Sequence, residues 1–256
     1  MYKILTSLSK KENYRLIFLD ISNMKWILIL LLPFFSFTQN LNNTNSLYPN
    51  ENIFIKYHDK WGSNNYKKVV KEFKKSPLSK GDIVFLGNSI TAGGNDWSIR
   101  LNYPNIRNRG IGGDVTEGVL YRLDEITYYK PKAVFLLIGI NDLWNTSPIE
   151  PTVDYISKNI IRITQEIKKK SPKTKVFVQT ILPVEKQIYR VPINEINNVL
   201  KSEESKNSYS IIDLHSFFVD DKGLIIEDFF SDGIHLTEEG YNNWVKIIRP
   251  IVQSIK

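Results

Sequence analysis

Four short runs in this chain are apolar at consecutive positions rather than alternate ones: Asp82 to Leu86 (DIVFL), Ala133 to Ile138 (AVFLLI), Lys175 to Thr180 (KVFVQT) and Ser210 to Asp213 (SIID). A strand with one wet face alternates apolar and polar side chains. Continuous runs therefore imply strands covered on both faces, as in a parallel sheet. Segments with helical spacing surround them: Tyr57 to Lys75, Val115 to Ile126, Val153 to Lys170, Val191 to Ser205, and Glu238 to Ile248 or beyond. The last has Thr237 as its N-cap and Pro250 near its end. Asn105 to Arg109 lies between two helical patterns and reads as a further strand. Such alternation needs right-handed crossovers with helices on both faces, a doubly wound three-layer α/β domain. Ligands in these folds bind beyond the carboxyl ends of the strands, so chemistry is expected at that edge.

The 256 residues suit one domain with a short appendage. Met24 and Lys25 precede an apolar stretch from Trp26 to Phe37, followed by small and polar residues. Residues 24–38 therefore read as a signal peptide, with Ser36 and Thr38 as the small residues before a cut at Gln39. The stretch is short for a membrane span, and Pro33 interrupts it. Residues 1–23 are expected to be an upstream extension from a misplaced start, 39–52 a linker rich in Asn, Ser and Thr, and 53–256 the domain. The alternative at the N-terminus is an uncleaved anchor. Either reading sends the domain out of the cytoplasm, to a secreted or periplasmic location.

The formal charge of +7 invites a nucleic-acid partner, but part of it sits in Lys3, Lys10, Lys11, Arg15 and Lys25. The rest is scattered, or lies in helical runs such as Lys67, Lys68, Lys71, Lys74 and Lys75, which read as a solvated face. No nucleic acid is expected as a partner. The absence of cysteine removes disulfides, thiolate metal sites and a cysteine nucleophile. A nucleophile must then be oxygen or nitrogen.

Directly after the first strand comes Gly87-Asn88-Ser89-Ile90-Thr91. A serine on a tight turn between a buried strand and a helix is held at the sheet edge, with its backbone N–H at a helix start that favours negative charge. Taken alone, the same serine is more often a helix cap. The second strand ends in Arg109-Gly110-Ile111-Gly112-Gly113-Asp114, where glycines let the backbone approach a ligand, or simply make a turn capped by Asp114. Its spacing is not the dinucleotide fingerprint. The third strand ends in Gly139-Ile140-Asn141-Asp142, which offers a side-chain amide to an oxyanion or a turn residue. Before the last helix stands Asp232-Gly233-Ile234-His235. An acid three residues ahead of a histidine can orient one ring nitrogen and leave the other to deprotonate a serine. Of the other histidines, His58 precedes the first strand, while His215 follows the last and is the rival base.

In this order and at these strand ends, the four segments resemble the SGNH or GDSL hydrolase family, with Asn88 where the founding motif has Asp. The resemblance covers roughly Tyr57 to Pro250. It implies a flavodoxin-like sheet of five parallel strands and an ester hydrolase needing no metal or cofactor. In it Ser89 is the nucleophile, His235 the base, Asp232 its orienting acid, and Ser89, Gly113 and Asn141 the oxyanion donors. Within the family, GNSITAGG and NRGIGGDVTEGVLYRL look most like carbohydrate acetylesterases and platelet-activating-factor acetylhydrolase-like members. The expected substrate is thus a small acyl group, above all acetyl, on a sugar or glycoconjugate. Arg109, Trp97, Trp144 and Tyr189 are candidates to line its site, although such aromatics are as often packing residues. The competing functions are a lysophospholipase or thioesterase, and a non-catalytic carbohydrate-binding module on the same scaffold.

Overall fold

The structure, a computed structural model, describes residues 45–144 and 151–255. The expected upstream extension, the signal segment and the first part of the linker lie outside the described residues. Strands β1 (Ile83–Gly87), β2 (Ile106–Gly110), β3 (Ala133–Leu137), β4 (Lys175–Gln179) and β5 (Ser210–Ile212) form one parallel sheet in the order β2-β1-β3-β4-β5. This is the flavodoxin-like arrangement, with β1 at the point where the strand order reverses. β1 and β3 lie in the middle and are buried along their whole length, which explains their unbroken apolar sequences.

Helices α1 (Lys60–Lys75), α2 (Ser89–Gly93), α3 (Trp97–Leu101), α4 (Thr116–Tyr121), α5 (Leu123–Tyr129), α6 (Ile140–Trp144), α7 (Val153–Lys170), α8 (Arg190–Glu203) and α9 (Glu238–Gln253) surround the sheet. α4, α5, α7 and α8 pack side by side on one face, and α9 meets α3 on the other. On this second face, strand register aligns Phe85, Phe135 and Phe177 into a stack with centroid spacings of 4.8 Å, and Trp97 covers Phe85 at 4.4 Å. Trp244 of α9 meets Trp97 edge-on, so six-membered rings join sheet and helices in one apolar block.

Two expectations shift. The helix expected over Val115 to Ile126 is broken in two at Arg122, whose backbone leaves the helical region (φ −113°, ψ 19°) while its guanidinium turns inward. The expected linker is part of the domain from Asn45 onward: the Tyr48 hydroxyl donates to Glu125 Oε1 at 2.9 Å, and its ring packs with Ile55, Tyr66 and Val70 of a small second core.

Candidate active site

β1 ends at Gly87, where a β-carbon would collide with the carbonyl oxygen of Leu137 and the hydroxyl of Thr91. Only glycine fits between β3 and the first turn after β1 there. The chain then turns, and Asn88 caps α2 by accepting the Ile90 N–H at 3.0 Å, which makes Ser89 the first helical residue. Five residues make a helix too short to hold itself, so side chains satisfy its carbonyls. Asn108 Nδ2 donates to Thr91 and Ala92, Trp97 Nε1 to Thr91 at 3.1 Å, and the Tyr241 hydroxyl to Ile90 at 2.8 Å. Ser89 is therefore fixed from three directions at the carboxyl end of β1.

The acid and the histidine sit on a tight hairpin closed by the Phe230–Leu236 bridge and by the Ser231 N–H donating to the His235 carbonyl at 2.8 Å. Gly233 makes the reversal at φ +80°, and its carbonyl is held by the Glu185 N–H at 2.9 Å. Asp232 Oδ1 accepts the backbone N–H groups of Ile234 and His235, and Oδ2 lies 2.7 Å from His235 Nδ1. Partial burial pushes the Asp232 carboxyl up, but the hydrogen bonds from the His235 ring and from these two amides outweigh it and hold the group below the usual carboxylate range. His235 Nε2 stands 2.9 Å from Ser89 Oγ. It is His235, not His215, that meets the serine. With Nδ1–H donating to Asp232, the other nitrogen is the one able to take the serine proton.

Because β1 lies between β2 and β3, the loops after those strands flank Ser89. On the β2 side, Gly113 takes φ +79°, a conformation that favours glycine. Among the described residues, neither the Gly113 nor the Ser89 backbone N–H has an acceptor within the protein. On the β3 side, Asn141 Nδ2 donates to the Asp114 carbonyl at 2.9 Å, which ties the amide to the glycine loop. That loop is anchored by a buried charge cluster. Arg122 Nε reaches Asp114 Oδ2 at 2.9 Å while its other nitrogens donate to the carbonyls of Arg109 at 2.7 Å and Gly87 at 2.9 Å, and His58 Nε2 lies 3.2 Å from Asp114 Oδ1. One guanidinium thus joins the ends of β1 and β2 to the glycine turn. Asp142, fully buried, accepts the N–H and hydroxyl of Thr116; burial pushes its carboxyl up to about 7, those two bonds oppose the rise, and the charge of Asp114 adds to it. The arrangement offers a serine with a base, and the turns that follow β1, β2 and β3 bring the Ser89 and Gly113 N–H groups and the Asn141 amide to the same sheet edge. Among the described residues no group of three or more His, Asp or Glu is placed to hold a metal ion.

Two of the four expected lining residues are elsewhere. Trp97 is wholly buried in the aromatic stack. Arg109 is buried on β2, where it makes a two-pronged ion pair with Glu125 at 2.8 and 2.9 Å, donates to the Ser76 carbonyl and lies over the Phe73 ring. A strand-end position did not reveal that Arg109 turns away from the edge, and Trp97 begins α3 with its indole in the core. Trp144 and Tyr189 do come together, stacked at 5.3 Å, with Lys186 Nζ 4.0 Å from the indole. Trp144 ends the helix that carries Asn141, and Tyr189 follows the loop bonded to Gly233. Sequence reasoning missed Arg122 and Trp61, and set His58 aside. Trp61 lies against Gly112 and Gly113, and its signal was an indole at an otherwise polar helix start, Asp59-Lys60-Trp61.

Comparison with known proteins identifies the family and agrees with the fold. The model of the GDSL-like lipase/acylhydrolase family matches residues 85–242. The platelet-activating factor acetylhydrolase IB subunit alpha2 of Rattus norvegicus is 30% identical over 209 residues, covering 78% of this chain and 86% of the relative. Among solved structures, a GDSL-like lipase from Bacteroides thetaiotaomicron superimposes with a TM-score of 0.63 at 24% identity, over 74% of this chain and 97% of its own. A mutant acetyl-xylooligosaccharide esterase from Geobacillus stearmophilus shares the fold at 0.57 and 19%, over 68% and 95%. The chain therefore belongs to the GDSL-like lipase/acylhydrolase family, that of the SGNH hydrolases, and is an ester hydrolase.

Proposed function

We propose that the protein is an exported esterase that removes acetyl groups from carbohydrate or glycoconjugate substrates through Ser89, His235 and Asp232. The observation that carries the catalytic part is the unbroken relay of Ser89 Oγ to His235 Nε2 at 2.9 Å and His235 Nδ1 to Asp232 Oδ2 at 2.7 Å. Ser89 Oγ attacks the ester carbonyl as its proton passes to His235 Nε2. The oxyanion receives hydrogen bonds from the Ser89 and Gly113 N–H groups and from the second amide hydrogen of Asn141. Collapse breaks the ester C–O bond, and the proton on His235 goes to the departing alcohol oxygen. A water then gives its proton to His235 and attacks the acyl-serine, which frees acetate and restores Ser89.

A small acyl group is supported by the relatives named acetylhydrolases. A sugar acceptor is supported by the likeness of Gly87 to Gly94 and Asn108 to Leu123 to carbohydrate acetylesterases; the Trp144–Tyr189 pair adds nothing to it, because the rings cover each other, Tyr189 is buried and Lys186 lies over the indole. Export rests on the sequence of residues 24–38.

Acetate release from acetylated xylo-oligosaccharides and from p-nitrophenyl esters of increasing chain length tests the reading. Loss of turnover in Ser89→Ala and in His235→Ala supports it. Unchanged acetate release in both variants overturns the catalytic assignment, and an optimum at long acyl chains overturns the acetyl assignment in favour of a lipolytic enzyme. Cell fractionation with N-terminal sequencing of the mature chain tests export.

A further inference from the structure

Trp61 stands on the first turn of α1, beside the N-cap Asp59, and 61% of its surface is exposed. The other exposed positions of that helix are lysines, an asparagine and a glutamate, so an indole there is not explained by core packing. Its six-membered ring lies on the glycine turn: a β-carbon at Gly112 would come 3.0 Å from Trp61 Cη2, and one at Gly113 would come 3.0 Å from Cζ3. The helix start is docked on this turn by Gly62, whose Cα would lie 2.9 Å from a Gly113 β-carbon, and by Asn65 Nδ2 donating to the Gly112 carbonyl at 2.9 Å. The ring therefore has one side against the backbone that presents the Gly113 N–H and another in water. Among the described residues its Nε1–H donates to no protein acceptor, whereas the indoles of Trp97 and Trp244 both do.

We propose that Trp61 is a specificity-determining residue, a flat platform beside the oxyanion donors on which the sugar ring of the substrate stacks while Nε1–H remains available to a ring hydroxyl. This rests on the carbohydrate reading above. A large apolar surface lying on the turn that presents the Gly113 N–H, with its polar atom unspent, suits a ring that is apolar on its face and polar at its rim. A flexible acyl chain would gain nothing from the indole's planarity or its N–H group.

The experiment compares kcat/KM for an acetylated xylo-oligosaccharide with that for vinyl acetate, which has no ring, in the full chain and in Trp61→Ala, Trp61→Leu and Trp61→Phe. Leucine keeps the glycines covered without a flat face, and phenylalanine keeps the face. The expected result is a fall of at least tenfold in the sugar-to-vinyl ratio for Ala and Leu, carried by KM, with Phe recovering most of it. An equal loss on both substrates in Ala and Leu overturns the proposal, because Trp61 would then only brace the oxyanion turn. A wild-type-like ratio in all three variants overturns it while leaving the carbohydrate reading intact. A wild-type enzyme that turns over vinyl acetate but no acetylated sugar overturns the carbohydrate reading, and this inference with it.

Discussion

Asn141 Nδ2 donates to the backbone carbonyl of Asp114 over 2.9 Å, so the amide on the β3 side of the site is aimed by the loop on the β2 side. An amide nitrogen carries two hydrogens, and this bond uses one. The other is the proposed oxyanion donor. Asn141→Ala is expected to lower kcat on p-nitrophenyl acetate by roughly a hundredfold or more, with a much smaller change in KM, as when a single oxyanion donor is lost. A rise in KM with kcat preserved would assign Asn141 to substrate binding instead.

Arg122 and Asp114 form a buried ion pair at 2.8 Å, with side-chain exposures of 5% and 0%. Removing one partner leaves the other charge uncompensated, which typically costs about 3–5 kcal/mol. Arg122→Met is thus expected to lower the urea midpoint by that equivalent. The double variant Arg122→Met with Asp114→Asn should recover part of the loss, and strictly additive losses would show that the pair is not coupled.

Asp142 supplies a pH dependence of stability. Its carboxyl stays protonated in the folded protein up to about pH 7, against an ordinary value of 3.8. Between those limits the folded state binds more protons than the unfolded one. Stability therefore falls as pH rises from about 4 to about 7, by up to about 1.4 kcal/mol per pH unit, and is level above that range. Asp142→Asn should remove this slope. Chemical denaturation of both proteins at intervals from pH 5 to 8 measures the difference, and parallel curves would refute the assignment.

Trp97, one of the expected substrate contacts, is wholly buried against Phe85. Trp97→Ala is expected to cost about 3–5 kcal/mol of stability. The fraction that remains folded should bind substrate with the KM of the wild type. A selective rise in KM without loss of stability would return Trp97 to the site.

The sheet was legible because β1 and β3, covered on both faces, are apolar at every position, and runs this short between longer helical patterns fit buried strands better than helices. The four segments now found at the carboxyl edge were legible only together: each alone reads as a cap or a turn, and it is their order at successive strand ends that resembles the family. What stayed hidden depends on side-chain direction. Arg109 near the end of β2 turns to Glu125, and Trp97 at the start of α3 turns to Phe85. Arg122 looked like one position on a continuous helix, because the cost of breaking that helix is offset by contacts with Gly87, Arg109 and Asp114 that lie far apart in sequence. Trp61 precedes its glycine turn by some fifty residues, and only folding brings the two together.

The hairpin that carries Asp232 and His235 sets the order in which function is lost. Acid and base are bound to each other within one reversal of the chain, whereas Ser89 lies 146 residues away from His235. Orientation of the imidazole is thus a local property, and catalysis adds a single long-range distance to it. Any loosening that lets this corner swing from α2 disconnects the nucleophile while each half keeps its own shape. On gentle heating, hydrolysis should therefore fade while circular dichroism still reports an intact sheet, and return in full on cooling.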